Sequence, residues 1–374
     1  MLAATSTVGA ASMAGCFGLF GGNDDDGGDG QNLNVNIANF RGSGPLVSSR
    51  GQPGGTSITE MPDLEGELNF YLGGGEGGLY LDLIELFSQI YSDFSYNQTL
   101  DASSQLSNRI TQEVEAGSSQ ADVFIAVDAG SLGNVANAGA TVSLSSDVTD
   151  MVPPEFTTGE WVGIAGRARA IPYNTNQLSE SDIPDTVQDF PDVSAFQNNM
   201  GWAPTYSAFQ SFITAMRLIQ GESTTRQWLN DMQAAGVIQF PDEFRISNQV
   251  ANGEIVSGFA NHYYALRVRT QRPNAPLALS FTSGDAAALI NVSGAQVIRG
   301  TENEELALNF IRHLLSSEAQ EFFATRTFAY PTVPGVQPVG GLPTVDELNP
   351  PDINLSELSN TGPTLDLLDE TGVL

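Results

Sequence analysis

Gly166-Arg167-Ala168-Arg169-Ala170-Ile171-Pro172-Tyr173-Asn174 is the stretch on which the reading of the fold turns. It reads as an extended strand that crosses from one lobe of the molecule to another. The chain has 374 residues, enough for two lobes with separate cores. Upstream, Glu67-Leu68-Asn69-Phe70-Tyr71-Leu72 forms a short strand that stops at a run of glycines beginning at Gly73. Leu79, Leu83, Leu86, Phe87 and Ile90 then recur at helical spacing. Strand, glycine turn and helix make a βα unit whose helix N-terminus can face a ligand cleft. No Gly-Lys-Ser/Thr follows, so this is not a nucleotide-binding loop. A second helix is predicted from Ser104 to Ala116, and a strand over Ala121 to Ala126 that ends at Asp128-Ala129-Gly130.

Downstream of the crossing strand, helices are predicted through Phe212, Ala215, Met216 and Ile219 to a stop near Gly221, and from Thr224 to Ala235. Val256 to Ala260 reads as a strand, Ala295 to Ile298 as another, and Glu304 to Leu315 as a helix. Such alternation argues for α/β sheets covered by helices.

The charge narrows the function. Forty-four acidic residues face 14 basic ones, a formal net charge of -30, and every basic residue is arginine. Such a chain repels nucleic acid and an anionic bilayer. It suits a surface solvated in high salt, and points to a salt-loving source.

Leu2 to Ala14 is small and apolar, too short to span a bilayer, and ends at Met13-Ala14-Gly15-Cys16, the single cysteine. This is the form of a lipoprotein box, with Cys16 as the lipid-bearing residue after cleavage. No basic residue precedes the apolar run, so the true start is expected upstream. One cysteine leaves no internal disulfide framework. Residues 17–65 are rich in Gly, Asp, Asn, Ser and Pro and read as a flexible tether.

The stretch that bears on function is Asn261-His262-Tyr263-Tyr264-Ala265-Leu266-Arg267. Adjacent side chains diverge on a strand or a helix, so two neighbouring phenols share a cleft only at an irregular turn or a helix start; a turn is the expectation. A hard cation favours phenolate, and phenolate oxygen is a donor suited to ferric iron.

With these pieces in place the chain resembles the ferric-iron-binding proteins, the extracytoplasmic solute receptors of ABC iron importers, here as a haloarchaeal-type lipoprotein. The resemblance rests on Gly166-Arg167-Ala168-Arg169 ahead of Tyr173-Asn174, on Ala203-Pro204-Thr205-Tyr206-Ser207-Ala208-Phe209, on the Asn261 to Tyr264 stretch, and on Ala329-Tyr330-Pro331. It implies two α/β lobes of the type II periplasmic-binding-protein fold, joined by crossing strands and closing on ligand by hinge motion. It implies Tyr263 and Tyr264 as Fe3+ ligands, with Tyr206 as a third phenol or an anion neighbour. A synergistic anion, phosphate or carbonate, is implied on Thr205, Ser207 and Ala208 at a helix start, paired with Arg167 or Arg169. First-lobe ligands of the family fall near Gly75 and Val127, which cannot coordinate through a side chain; Asp128 or Glu76 stands beside each as a hard oxygen donor or as a helix cap or loop acid. Asn261 and His262 are expected to support the stretch, and Tyr71 is a further candidate ligand.

The implied organisation is a signal peptide with lipobox over 1–16, the tether over 17–65, an N-terminal lobe of 66–166 and 285–330, a C-terminal lobe of 167–284 and 331–345, and a tail over 346–374 that packs on the lobes. The implied partners are the permease and ATPase subunits of the transporter, with the receptor a monomer on the outer face of the membrane. Two alternatives stand beside this reading. The same fold can carry a polyamine, thiamine, sulfate or an organic anion. An exported hydrolase is the other, against which the chain has no Gly-x-Ser-x-Gly or His-Glu-x-x-His motif and only two histidines.

Overall fold

The computed structural model describes residues 35–74 and 77–374, and Val35–Leu374 form one compact unit. In chain order the strands are β1 (Gly66–Gly73), β2 (Phe94–Asp101), β3 (Val123–Ala126), β4 (Val162–Asn174), β5 (Met200–Trp202), β6 (Ile238–Gln239), β7 (Ser257–Gly258), β8 (Ala260–Asn261), β9 (Leu277–Ser280) and β10 (Ile290–Val297). The helices are α1 (Ile37–Phe40), α2 (Gly77–Ile90), α3 (Ser103–Glu115), α4 (Ala129–Asn137), α5 (Ser146–Thr149), α6 (Ser207–Gln220) and α7 (Glu222–Ala234). They continue as α8 (Glu243–Asn252), α9 (His262–Gln271), α10 (Glu304–Leu314), α11 (Ser317–Phe322), α12 (Val345–Leu348) and α13 (Gly362–Glu370).

The strands run in the order β2-β1-β3-β10-β4-β7-β5-β6, with β8 and β9 also paired to β4. β1 pairs in parallel with β2 and β3, as expected when each connection is a helix. β3 reads Val-Phe-Ile-Ala without polar alternation because both faces are covered, and all four residues are buried.

β4 organises everything else. Its first part, Val162–Ala168, pairs with β10, while Arg169 and Ala170 pair with β8 and Ile171–Asn174 with β9. One strand thus belongs to two halves, and the β9-to-β10 connection crosses back beside it. In the first half, Phe70, Phe87, Phe94 and Phe310 pack ring against ring. In the second, Phe212, Trp228 and Phe259 pack likewise, with Trp202 against Trp228. Gly258 is obligatory at the β5 contact, because a Cβ there would lie 2.9 Å from the Gly201 carbonyl oxygen and 2.4 Å from Ile246.

Three expectations change. The tether does not extend to residue 65. From Val35 the segment is packed, with Phe40, Ile58 and Leu64 buried and Arg41 and Arg50 both bound to the buried carboxylate of Glu321, at 2.7 Å each. A few large side chains and a double ion pair hold a segment whose average composition reads as coil. Residues 331–339 pack on the first half rather than the second: Thr332 Oγ1 donates to the Gly163 carbonyl, and Gly54 N–H to that of Gly335. The Tyr pair follows no irregular turn, since the expected strand over 256–260 breaks at Phe259 and the chain enters α9 directly. The 3-10 turn Leu355–Ser359 lies against α4 and α6, and α13 against α6. Cys16, the expected lipidation position, and Glu76 lie outside the described residues.

Candidate functional site

A cleft of about 660 Å³ opens between the two halves beside β4. Strand alternation puts Arg167 and Arg169 on the same face, and both line it. Arg169 is 3% exposed. Its Nη1 donates to Glu243 and, at 3.4 Å, to Asn261 Oδ1, and its guanidinium carbon lies 5.4 Å from the Phe212 ring centre. Its Nη2 is buried with no protein acceptor. A buried guanidinium N–H without an acceptor, in a residue that lines a cleft, is a site for an anion.

Glu243 opens α8 and is fully buried. Besides binding Arg169 it accepts the Asn261 N–H at 2.8 Å. One carboxylate therefore fixes the cleft arginine and the residue that caps α9. In the sequence Glu243 is only an acid in a helix's first turn, and nothing local marks it as buried.

Asn261 is extended, and helical geometry begins at His262. Tyr263 and Tyr264 stand in the first turn, where no preceding turn of helix crowds them, with ring centres 4.3 Å apart and planes tilted by 50°. The second phenol partner comes from elsewhere. Tyr206 precedes α6, and its hydroxyl shares a hydrogen bond with that of Tyr264. Tyr263 and Tyr206 line the cleft, Tyr263 accepts a bond from Asn261 Nδ2 at 3.4 Å, and Arg267 lies over both rings of the pair. Burial, then the neighbouring phenols, pushes the Tyr264 hydroxyl well above its ordinary pKa of 10.0, so without a cation it stays protonated.

Ser207 and Ala208 begin α6 and line the cleft. The opening N–H groups of a helix have no intrahelical acceptor, and no side chain caps this one. Thr205 is exposed and does not line the cleft, so the loop offers Ser207 and Ala208 without it. Asp128 lines the cleft but its carboxylate caps α4, taking the Ser131 N–H at 2.7 Å and the Ser131 hydroxyl at 3.0 Å. His262 is buried between halves of the scaffold, Nε2 at 2.6 Å from the Phe328 carbonyl, and its imidazole titrates down at about 4 because burial opposes the charge. It supports the start of α9. Tyr71 is no part of the cleft lining: its hydroxyl donates to Glu113 at 2.8 Å. Among the described residues no group of three or more His, Cys, Asp or Glu could hold a metal.

Residues 94–348 match a family described as bacterial extracellular solute-binding protein. The chain belongs to that family. The chain is 27% identical over 276 residues to the major ferric iron-binding protein of Neisseria meningitidis serogroup A, covering 72% of this chain and 82% of that one. It is 28% identical over 300 residues to iron uptake protein A2 of Synechocystis, covering 76% and 85%. Among solved structures it is similar to iron-bound HitA from Pseudomonas aeruginosa, with TM-score 0.69 and 26% identity over 82% of this chain and 99% of that one. Trichodesmium IdiA (FutA), in complex with iron and citrate, also superposes with TM-score 0.69, at 25% identity, over 82% and 99%. The fold of the chain is the type II periplasmic-binding-protein fold, and its relatives are binding proteins rather than enzymes. They are extracellular or periplasmic.

Proposed function

We propose that the receptor binds ferric iron through Tyr206, Tyr263 and Tyr264 and hands it to the permease of an ABC importer, driven by its ATPase subunits. The observation that carries this is the hydrogen bond between the Tyr206 and Tyr264 hydroxyls with Tyr263 beside them. Three hard oxygen donors from two helix starts meet there. The relatives' ferric iron binding supports the same reading. A trivalent cation displaces the phenol protons, and each phenolate then ligates the metal. The N–H groups of Ser207 and Ala208, with the Arg169 Nη2 and Arg167, hold the accompanying anion, phosphate, carbonate or the carboxylates of a chelator. Asp128 stays a helix cap that adds negative potential to the first-half wall. Cys16 carries the lipid that keeps the receptor on the outer membrane face, the acidic surface fits a halophilic setting, and the receptor works as a monomer.

The test is a titration with ferric citrate followed by visible absorbance. Phenolate-to-iron charge transfer gives a salmon-pink band in the wild type. Tyr263→Phe and Tyr264→Phe each remove most of it, and Tyr173→Phe leaves it intact. A wild type that stays colourless turns the reading toward another solute.

A further inference from the structure

The C-terminal 26 residues lie beyond the stretch matched by the family, which ends at 348. They do not trail along one half. Asn349 is fixed beside the crossing segment, its carbonyl accepting from Gly284 N–H at 2.9 Å. The turn Leu355–Ser359 then lies against α4 of the first half and also touches α6 of the second. α13 completes the path on the second half, where Thr364 shares a hydrogen bond with Thr214 on α6 at 2.8 Å and accepts from Arg217 at 3.1 Å. Gln233 and Gln239 donate to the carbonyls of Thr371 and Val373. Leu355, Leu358, Leu367, Leu368 and Val373 are buried.

The seat on α4 is built for this turn. Gly130 and Gly133 stand one helical turn apart, and a Cβ on either would lie 2.8 Å from Ser359 Cβ or 2.5 Å from Ser356 Cβ. Both sit at helical backbone angles that alanine adopts more readily, so nothing in α4 itself requires glycine. The close approach does. At the end of the turn and just after it, Leu358, Ser359 and Thr361 line the cleft.

We propose that residues 355–374 are a strap that ties the two halves across the cleft and forms one of its walls. Opening about β4 separates α4 from α6, so it must lift the turn from one of them. The strap thereby sets how wide the cleft opens and which solutes fit, with Leu358, Ser359 and Thr361 as specificity-determining residues and Gly133 as the one that seats them.

Gly133→Leu unseats the turn from a position that is not itself in the cleft lining, and a chain ending at Asn354 removes the strap. Both are made with Cys16→Ser, and with spin labels at Ser118→Cys in the first half and Asn230→Cys in the second, which are exposed. The expected result is a broader, longer distance distribution in both variants without ligand, and release of ferric citrate about tenfold faster, a coupling of ordinary size. Unchanged distances in both variants overturn the strap. The distance measurement needs no iron, so a wild type that fails to bind ferric citrate sinks the ferric reading alone.

Discussion

The hydroxyls of Tyr206 and Tyr264, 58 positions apart in the chain, share one hydrogen bond. It joins the start of α6 to the start of α9, two segments of one half that meet at the cleft. A phenol pair from consecutive residues thereby becomes a cluster of three oxygens.

Under the proposed reading, Tyr206 ligates iron on the same footing as Tyr263 and Tyr264. Tyr206→Phe is expected to weaken ferric binding by at least tenfold and to shift the charge-transfer band, while leaving the melting temperature nearly unchanged. Absorbance titration beside thermal unfolding checks this.

Binding should consume base. Burial and the neighbouring phenols raise the Tyr264 hydroxyl above its ordinary pKa, so it is protonated at neutral pH, and iron bound there as proposed would release that proton. Affinity is expected to fall as pH falls, by about tenfold per unit for each proton displaced. Release of acid on adding ferric citrate to weakly buffered protein, corrected for citrate alone, gives the count.

Glu243 should matter more than its place in the sequence suggests. Glu243→Ala leaves Arg169 buried without its partner and strips the acceptor from the Asn261 N–H, at a cost of roughly 3–5 kcal/mol. Glu243→Gln keeps an acceptor and is expected to lose less. Urea unfolding of the two variants measures the difference.

His313 gives the fold an acid weakness. Burial holds its imidazole neutral, with its pKa lowered from 6.5 to about 4, Nδ1 donating to the Asn309 carbonyl and Nε2 accepting from Tyr91. The unfolded chain takes up this proton first. The stabilisation is thus whole above about pH 6.5, is lost as pH falls toward 4, and amounts to roughly 3 kcal/mol. His313→Phe should flatten that part of the curve relative to the wild type, as read from unfolding at pH 7 and pH 4.5.

The residues between 35 and 65 should be needed. A chain starting at Gly66 loses both partners of the buried Glu321 carboxylate and the Phe40 and Ile58 contacts, and should unfold at markedly lower denaturant than one starting at Val35. Equal midpoints would mean the segment is a passive tether after all.

Local periodicity carried much of the fold. The α/β alternation, the crossing stretch around Arg167 and Arg169 and the anomaly of two adjacent phenols are all read from neighbours along the chain, because strand and helix spacing is a property of short windows. The start of α9 was not, since Asn261 could have preceded either a turn or a helix. Its geometry depends on Glu243 accepting its N–H, a residue 18 positions away.

Sequence alone determined which chemistry the chain can offer: phenols and guanidiniums in an acidic protein with one cysteine and no lysine. The tertiary structure decided which of them meet. It joined Tyr206 to the pair, gave Arg169 to Glu243, turned Asp128 into a helix cap, packed the segment after residue 35 through Phe40, Ile58 and Leu64, and drew the C-terminal turn onto Gly133. These are contacts between faces far apart in the chain. Their partners are chosen by shape and by the need of each buried polar group for a mate, which no short window records.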